Sequence, residues 1–440
     1  MNRSQSCGMS SCASSWHICF SLFAQYCGAM ATRVDLLDLP SVLPRALRSQ
    51  TDRAEQLQEL RNLAQSTWIA KGEIGYTILK YDDVVAMLRD KRWHSAVGLI
   101  VDLNPDVTPE FRARRRESIL SAEGDTHVRL RRLVAPAFSP RNADALRPFM
   151  REVMTDLLNS VTESGTSDFA LDICNPYPIP IICELLGAPR SDWELFSRWA
   201  SDILRIFDSN FKNDIPLIMA AQDELDAYTR ELIDARRTSP QDDLLSSLIS
   251  AEEQGDKLSN DELVMMVEAV IIGGTDTTRN QLGLAVALLA NHPEEWELIA
   301  RQPEHAQRLI EEVMRINGAV RATGRFASQD IEYKDILFPQ GTLIFPSLAT
   351  GNFDGDVFSD PEQLLINRTE SNSPQLTFGS GIHYCLGASL ARAELQEALP
   401  LIAARMPHLK LSGPARYKVA TAGIYGPDSL PVTFTPTPRS

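Results

Sequence analysis

The sequence predicts a mainly α-helical protein with small β-sheets, organised as one large domain. Three observations predict it. Segments with helical periodicity outnumber the alternating, strand-like ones, and the strand-like ones cluster toward the two ends of the chain. A long stretch in the middle, apolar on most faces, reads as one uninterrupted helix buried at the centre. This is not the regular strand–helix alternation of a parallel α/β sheet. Hydrophobic residues make up 44% of the 440, which is ample material for a core.

The N-terminal segment stands apart. "MNRSQSCGMSSCASSWHICFSLFAQYCGAMATRV" is rich in Ser and Cys, is nearly free of charge, and holds Cys7, Cys12, Cys19 and Cys27. Its apolar run over residues 16–23 is shorter than the roughly 20 residues a membrane span needs. Arg3, a weak apolar region and Ala29-Met30-Ala31 have the order of a secretory signal, but the charged and apolar regions are both poor. The expectation is a disordered extension over residues 1–32, upstream of a second methionine at Met30, and a single domain over 33–440. Cys174, Cys183 and Cys385 complete the seven cysteines. No CxxC pair occurs, so zinc-ribbon and thioredoxin-like sites fail on spacing, and the sparse use in the body indicates a reducing, cytoplasmic setting.

Residues 72–90 read as an alternating strand pair followed by a short helix opening at Tyr81-Asp82-Asp83. Residues 95–110 read as an irregular loop. A basic cluster follows: Arg112, Arg114, Arg115, Arg116, Arg129, Arg131 and Arg132. Ser139 and Pro140 open a helix expected to run to about Ser164. "NPYPIPIICELLG" is broken by three prolines before it turns helical, and helical patterns continue to about Arg237. Ser259 and Glu262 form a capping box ahead of the long apolar helix, which Pro293 stops; it would span roughly 45 Å. After a further helix ending near Ile316, strands dominate in "GRFASQDIEY", "DILFPQGTLIFPSL" and "SLPVTFTP". Net charge is 43 − 58 = −15, which excludes a general affinity for nucleic acid, since that needs clustered cations facing phosphates.

One stretch demands a chemical reason. "TFGSGIHYCLGASLARAE", residues 377–394, sets Cys385 between a glycine-studded loop and an apolar helix, with His383 two residues earlier. A thiolate binds soft or borderline metals and, as an axial ligand, gives electron density to haem iron. Gly379, Gly381 and Gly387 let the backbone pass close to a flat macrocycle, and a following helix N-terminus favours an anion. Taken alone, Cys385 favours an inert buried cysteine in a Gly-rich turn, since such cysteines are common. The full pattern, Phe378, Gly381, Cys385 and Gly387 in Phe-x-x-Gly-x-x-x-Cys-x-Gly, resembles the haem-binding loop of the cytochrome P-450 family, and Ala391, Arg392 and Glu394 continue the match. The resemblance implies a cytochrome P-450 fold with a long central helix over the haem, and haem b (iron protoporphyrin IX) as cofactor. It makes Cys385 the proximal iron ligand, with Phe378, Gly379 and Gly387 in the loop around it and His383 facing a propionate.

Three further motifs resemble the same family. "IIGGTDTTRN" on the long helix combines two glycines with Asp and Thr where glycine is locally unfavourable. A structural kink is the alternative reading. The resemblance makes Gly273 and Gly274 the groove for dioxygen, Thr277 a hydrogen-bond partner of bound oxygen, and Asp276 the residue that passes protons inward. Glu312 and Arg315 share a helix face and resemble the family's buried Glu-x-x-Arg pair, a structural element. His127, Arg131 and Arg325 resemble its propionate-binding positions. The resemblance covers nearly all of residues 35–438. It departs from the common pattern at "EQLL" after Pro361, at Phe353 in "GNFD", and after Arg315, where no proline follows. These departures put the usual internal salt-bridge network in doubt.

The implied reaction is insertion of one oxygen atom from O₂ into a C–H bond of a hydrophobic small molecule. Electrons would come from a separate ferredoxin and ferredoxin reductase, docking on the basic cluster at 112–132 or meeting there only a solvated face. Other haem-thiolate chemistry (phenol coupling, desaturation, peroxygenation) and ligand binding without turnover stay open. The pocket would be lined by the 95–110 loop, the helices around 195–220, Ala269, Gly273, residues 319–323, Ile424 and Tyr425, and an inward-pointing Arg321 would favour a substrate carboxylate. The expectation is a bacterial-type member without a membrane anchor.

Overall fold

The computed structural model describes residues 31–42, 50–97, 108–109, 112–113, 118–205, 211–253, 258–368, 373–418 and 424–439. The first thirty residues, most of the 95–110 loop and Arg114, Arg115 and Arg116 of the basic cluster lie outside them. Within them the chain is mainly α-helical with four small sheets, as expected.

The central helix, Asn260–Leu289, is 30 residues long. Both halves of its capping box form: Glu262 N–H donates to Ser259 Oγ at 3.1 Å and Ser259 N–H donates to Glu262 Oε2 at 2.9 Å. Two orphan donors of the first turn are thereby satisfied, which fixes where the helix starts. Most of its length is buried. It packs against Pro178–Leu186, Trp193–Leu204 and Phe211–Thr238, and also against Ala388–Arg405, the helix that follows Cys385.

Two expectations need correction. The segment after Ser139 forms two helices, Pro140–Ala145 and Arg147–Val161, with a turn at Leu146. Pro148 has no N–H to donate back to residue 144 and sits in the first turn of the second helix, where that donor is not needed, so the break falls just before it. The prolines of "NPYPIPIICELLG" break less than expected. Pro178 and Pro180 lie in the first turn of Pro178–Leu186, where an N–H has no intrahelical partner to lose. Gly187 ends that helix at φ +83°, and a Cβ there would stand 2.0 Å from the Asp243 carboxylate.

The strands of the two ends meet in one sheet. Its order is β2 (Ile69–Lys71), β3 (Tyr76–Ile78), β9 (Leu343–Pro346), β6 (Arg325–Ala327), β4 (Trp93–Ser95). Only β3 and β9 pair in parallel; Ser95 lies opposite Arg325 at the β4–β6 edge. Thr32 and Arg33 (β1) pair in parallel with Ile336 and Leu337 of β8 (Ile336–Phe338). A hairpin of β11 (Arg416–Tyr417) and β12 (Pro427–Ser429) lies against the central helix, where a Cβ on Gly426 would come within 2.2 Å of the Asn280 side chain. There are two main apolar cores. One lies among the helices. The other, including Ile78, Val84, Met87, Trp93, Phe338 and Ile344, lies between the five-stranded sheet and the helix Tyr81–Arg89. The candidate site forms where these two bodies meet.

Candidate active site

The cysteine loop is closed by one backbone bond, Cys385 N–H to Phe378 O at 2.9 Å. Gly379 and Gly381 adopt φ of +72° and +73°, the left-handed region that side chains disfavour. Gly381 has a second reason to be glycine: a Cβ would stand 2.0 Å from the Leu88 carbonyl oxygen. Burial pushes the Cys385 thiol up from its ordinary value, while the Gly387 N–H and the Arg131 and Arg392 guanidiniums pull it down. Arg392 lies 4.5 Å over the Phe378 ring and donates to Glu311 at 2.5 Å. Phe378 is thus pinned beside the cysteine backbone.

This loop fits an iron carried in by a macrocycle. Among the described residues no group of three or more His, Cys, Asp or Glu could hold a bare metal ion, so Cys385 stands as a single sulfur donor. A Cβ on Gly379, on Gly387, or on Gly273 of the central helix would meet nothing within 4 Å, so open space adjoins all three.

The expected propionate-binding side chains converge on one edge of the site. His127, buried in the helix Gly124–Val134, sets its ring 4.4 Å from the His383 ring. Burial first, then the neighbouring His383 and Arg131, lower His127 to about 4, so it is neutral at pH 7. Arg131 Nη2 donates to Tyr384 O at 2.6 Å and ties that helix to the cysteine loop. Arg325, buried on β6, donates to Thr323 Oγ1 and Gly324 O at 2.8 Å each. Burial lowers it to about 10, and it keeps its charge. At their centre lies a residue that the sequence reading did not single out, Glu123, which accepts from His383 Nε2 at 2.9 Å.

On the opposite side, Thr277 Oγ1 donates to Gly273 O at 2.7 Å and Thr275 Oγ1 to Ile271 O at 2.8 Å, a pattern that loosens a helix locally. The two glycines expected to form one groove face different ways. Gly273 is exposed, but Gly274 turns toward Ile182, whose Cδ1 would be 2.3 Å from a Cβ there. Successive helix positions point about 100° apart, so neighbouring glycines serve different faces.

Asp276 is 4% exposed. Its Oδ1 accepts from Lys418 Nζ at 2.6 Å, Arg279 Nε at 2.7 Å and Asn280 Nδ2 at 3.0 Å. Burial works to raise this carboxyl, but Arg279 and Lys418 outweigh it and hold it below the usual carboxylate range. Lys418 and Arg279 were not anticipated. Two residues further on, Thr278 Oγ1 donates to Glu394 Oε2 at 3.2 Å, linking the central helix to the cysteine helix. Glu394 is fully buried, its Oε1 has no partner, and burial pushes it up to about 8.

The internal salt-bridge network is present despite the departures. Glu312 and Arg315 are buried and pair at 2.8 Å, and Arg368 completes the set by donating to Glu312 Oε1 at 3.0 Å. Phe353 takes the Arg61 guanidinium at 3.3 Å from its ring centroid, with Arg315 at 5.5 Å. An aromatic face thus receives cations where a cation was expected. Arg321 does not extend freely into a pocket: its guanidinium lies 3.5 Å from the Tyr425 ring centroid, and Tyr425 stacks on Tyr417 at 5.1 Å.

Comparison with known proteins identifies the family. The family model described as cytochrome P450 (here written P-450) matches residues 100–299 and 304–405. The chain is 34% identical to nocardicin C N-oxygenase of Nocardia uniformis subsp. tsuyamanensis, over 82% of this chain and 90% of that protein. It is 33% identical to mycinamicin IV hydroxylase/epoxidase of Micromonospora griseorubida, again over 82% and 90%. Among solved structures, the Bacillus subtilis 168 bacillaene polyketide synthase enzyme PksS superposes with a TM-score of 0.79 at 30% identity, covering 88% of this chain and 98% of that one. No helix among the described residues is long and apolar enough to cross a membrane. The chain belongs to the cytochrome P-450 family, a haem-thiolate monooxygenase whose cofactor is haem b.

Proposed function

We propose that this enzyme oxidises a hydrophobic small molecule with electrons from a separate ferredoxin and ferredoxin reductase in the cytoplasm. In this reading Cys385 is the iron ligand, His383, His127, Arg131 and Arg325 hold the propionates, and Asp276 and Thr277 deliver protons. The observation that carries it is the pairing of Thr277, on the exposed Gly273 side of the central helix, with a carboxyl at Asp276 that three donors keep in place.

When bound, the haem supplies activation of O₂, so that one oxygen atom enters the substrate and the other leaves as water with two electrons and two protons. Cys385 contributes a thiolate whose charge the Gly387 N–H, Arg131 and Arg392 moderate. Thr277 rests with its proton on Gly273 O, and rotation of the hydroxyl turns that proton into the groove. Asp276 lies between Thr277 and the partly exposed Lys418 and Arg279. As an ionised carboxyl it takes up a proton only when one of these cations moves off, and then passes the proton on. A carboxyl with this much support makes the O₂-driven reaction the better reading over peroxide use.

The relatives' names point to extended, largely apolar molecules: mycinamicin IV, vitamin D₃, and a hexadecenoic acid carried by an acyl carrier protein. A spectral-shift screen over macrolides, steroids and fatty acids tests the substrate class, and no shift with any of them removes it. Replacing Cys385 by Ser is expected to abolish the red-shifted Soret band of the reduced, CO-bound protein. An unaltered band would dismiss the ligand assignment. Reversing Arg115 and Arg116 to Glu is expected to raise the KM for ferredoxin, and unchanged kinetics at low salt would remove the docking surface.

A further inference from the structure

The helix Gly124–Val134 begins in an unusual way. Glu123 occupies the N-cap position, yet its side chain makes no capping bond. Ser, Thr, Asp or Asn at that position would stabilise the helix by about 1 kcal/mol. A residue that breaks a local rule inside a functional cluster invites the question of what it does instead.

Its carboxylate is spent elsewhere. One oxygen, Oε1, accepts from Ser95 N–H at 2.5 Å and from His383 Nε2 at 2.9 Å. Ser95 is the last residue of β4 and lies opposite Arg325 in the ladder. Ser95 Oγ also donates to Leu120 O at 2.9 Å, stitching the approach to Glu123 onto the same strand. Arg325 feels the Glu123 charge, and the His383 ring lies at a tilt of 54° against His127, one turn along the helix that Glu123 begins. The β4–β6 edge, the helix start and the cysteine loop therefore meet at one atom. The side chains of Glu123 and His383 are 14% and 13% exposed, so water competes weakly for these bonds.

We propose that Glu123 is a positioning residue for the haem: by accepting from His383 and Ser95 together, it fixes the His383 ring against His127 and locks the cysteine loop to the sheet edge, so that the propionate site is pre-formed. This rests on the propionate role given above to His383. Removing the acceptor leaves buried N–H groups without a partner and the His383 ring free to rotate.

The test is haem transfer from the purified holoprotein to excess apomyoglobin, followed in the Soret region, for Glu123→Leu and Glu123→Gln in the wild-type and His383→Ala backgrounds. Gln keeps the Oε1 acceptor and is expected to release haem at close to the wild-type rate. Leu, of similar volume, is expected to release it on the order of tenfold faster. The Leu effect should vanish in the His383→Ala background, which a purely structural role would not produce. The proposal is overturned if Leu and wild type release haem equally, if Gln is as fast as Leu, or if the Leu effect persists without His383. If His383→Ala alone leaves haem release unchanged, the propionate reading fails, and Glu123 falls with it. Should Glu123→Leu fail to fold, Glu123→Ser supplies a side chain too short to reach His383 Nε2, with a strong helix cap, and the same outcomes apply.

Discussion

Buried carboxyls beside this active site come in two kinds. Asp276 and Glu312 are ringed by cations, whereas Glu394 has a single threonine hydroxyl. All three are buried, and burial pushes each of them up. The first two nevertheless end below the usual carboxylate range, and the third reaches about 8. The partners, not the depth, decide the charge. Asp276 and Thr278 are two positions apart on one helix, so the contrast runs across the width of that helix.

The contrast can be broken most strongly at Glu312. Replacing it by Ala strands Arg315 and Arg368 without their anion, and a loss of about 3–5 kcal/mol of stability is expected in denaturant unfolding. A loss under 1 kcal/mol would make the ring dispensable. Glu394 gives the opposite result. Its folded-state value lies above the ordinary one, so its contribution to stability is greatest below about pH 4.5 and is lost as pH rises through about 8, by an amount on the order of a few kcal/mol. Glu394→Gln should flatten that pH dependence, and a variant with the wild-type slope between pH 5 and 9 would mean that the carboxyl is already ionised.

Asp276→Asn keeps the shape and removes the proton carrier. Turnover should fall by roughly 10²-fold, with peroxide replacing product, while the CO-bound spectrum is unaltered. A fall under threefold would take Asp276 out of the reaction. The smallest effect is expected from Lys418→Met. It removes one of two cations from Asp276, so the acid limb of the pH–rate profile should move to higher pH, with under about 1 kcal/mol of stability lost. An unmoved limb would leave Arg279 as the only cation that matters.

These differences mark what the sequence made legible. The cysteine loop, the capping box and the Asp276-Thr277 pair are local patterns, each readable within about ten residues. The partners of Asp276 are less so: Arg279 lies three positions on, but Lys418 is 142 residues away, and nothing in "ARYKVA" announces it. Arg368 restores the Glu312 network from a segment whose own motif is altered, a compensation visible only in three dimensions. Glu123 was hidden for a different reason, since a Glu just ahead of a helix looks like an ordinary dipole partner. The break at Leu146, by contrast, was available in Pro148.

One contact described above bears on how the protein is made. Gly381 rests on the carbonyl of Leu88, so the wall that cradles the cysteine loop is supplied by a helix translated long before it. A nascent chain on the ribosome can pack that helix on the strands that precede it, Ile69–Lys71 and Tyr76–Ile78, but its face toward the cysteine loop stays open until that loop has been made. Cofactor capture therefore waits for the cysteine loop, because neither the helix nor the loop builds that wall alone.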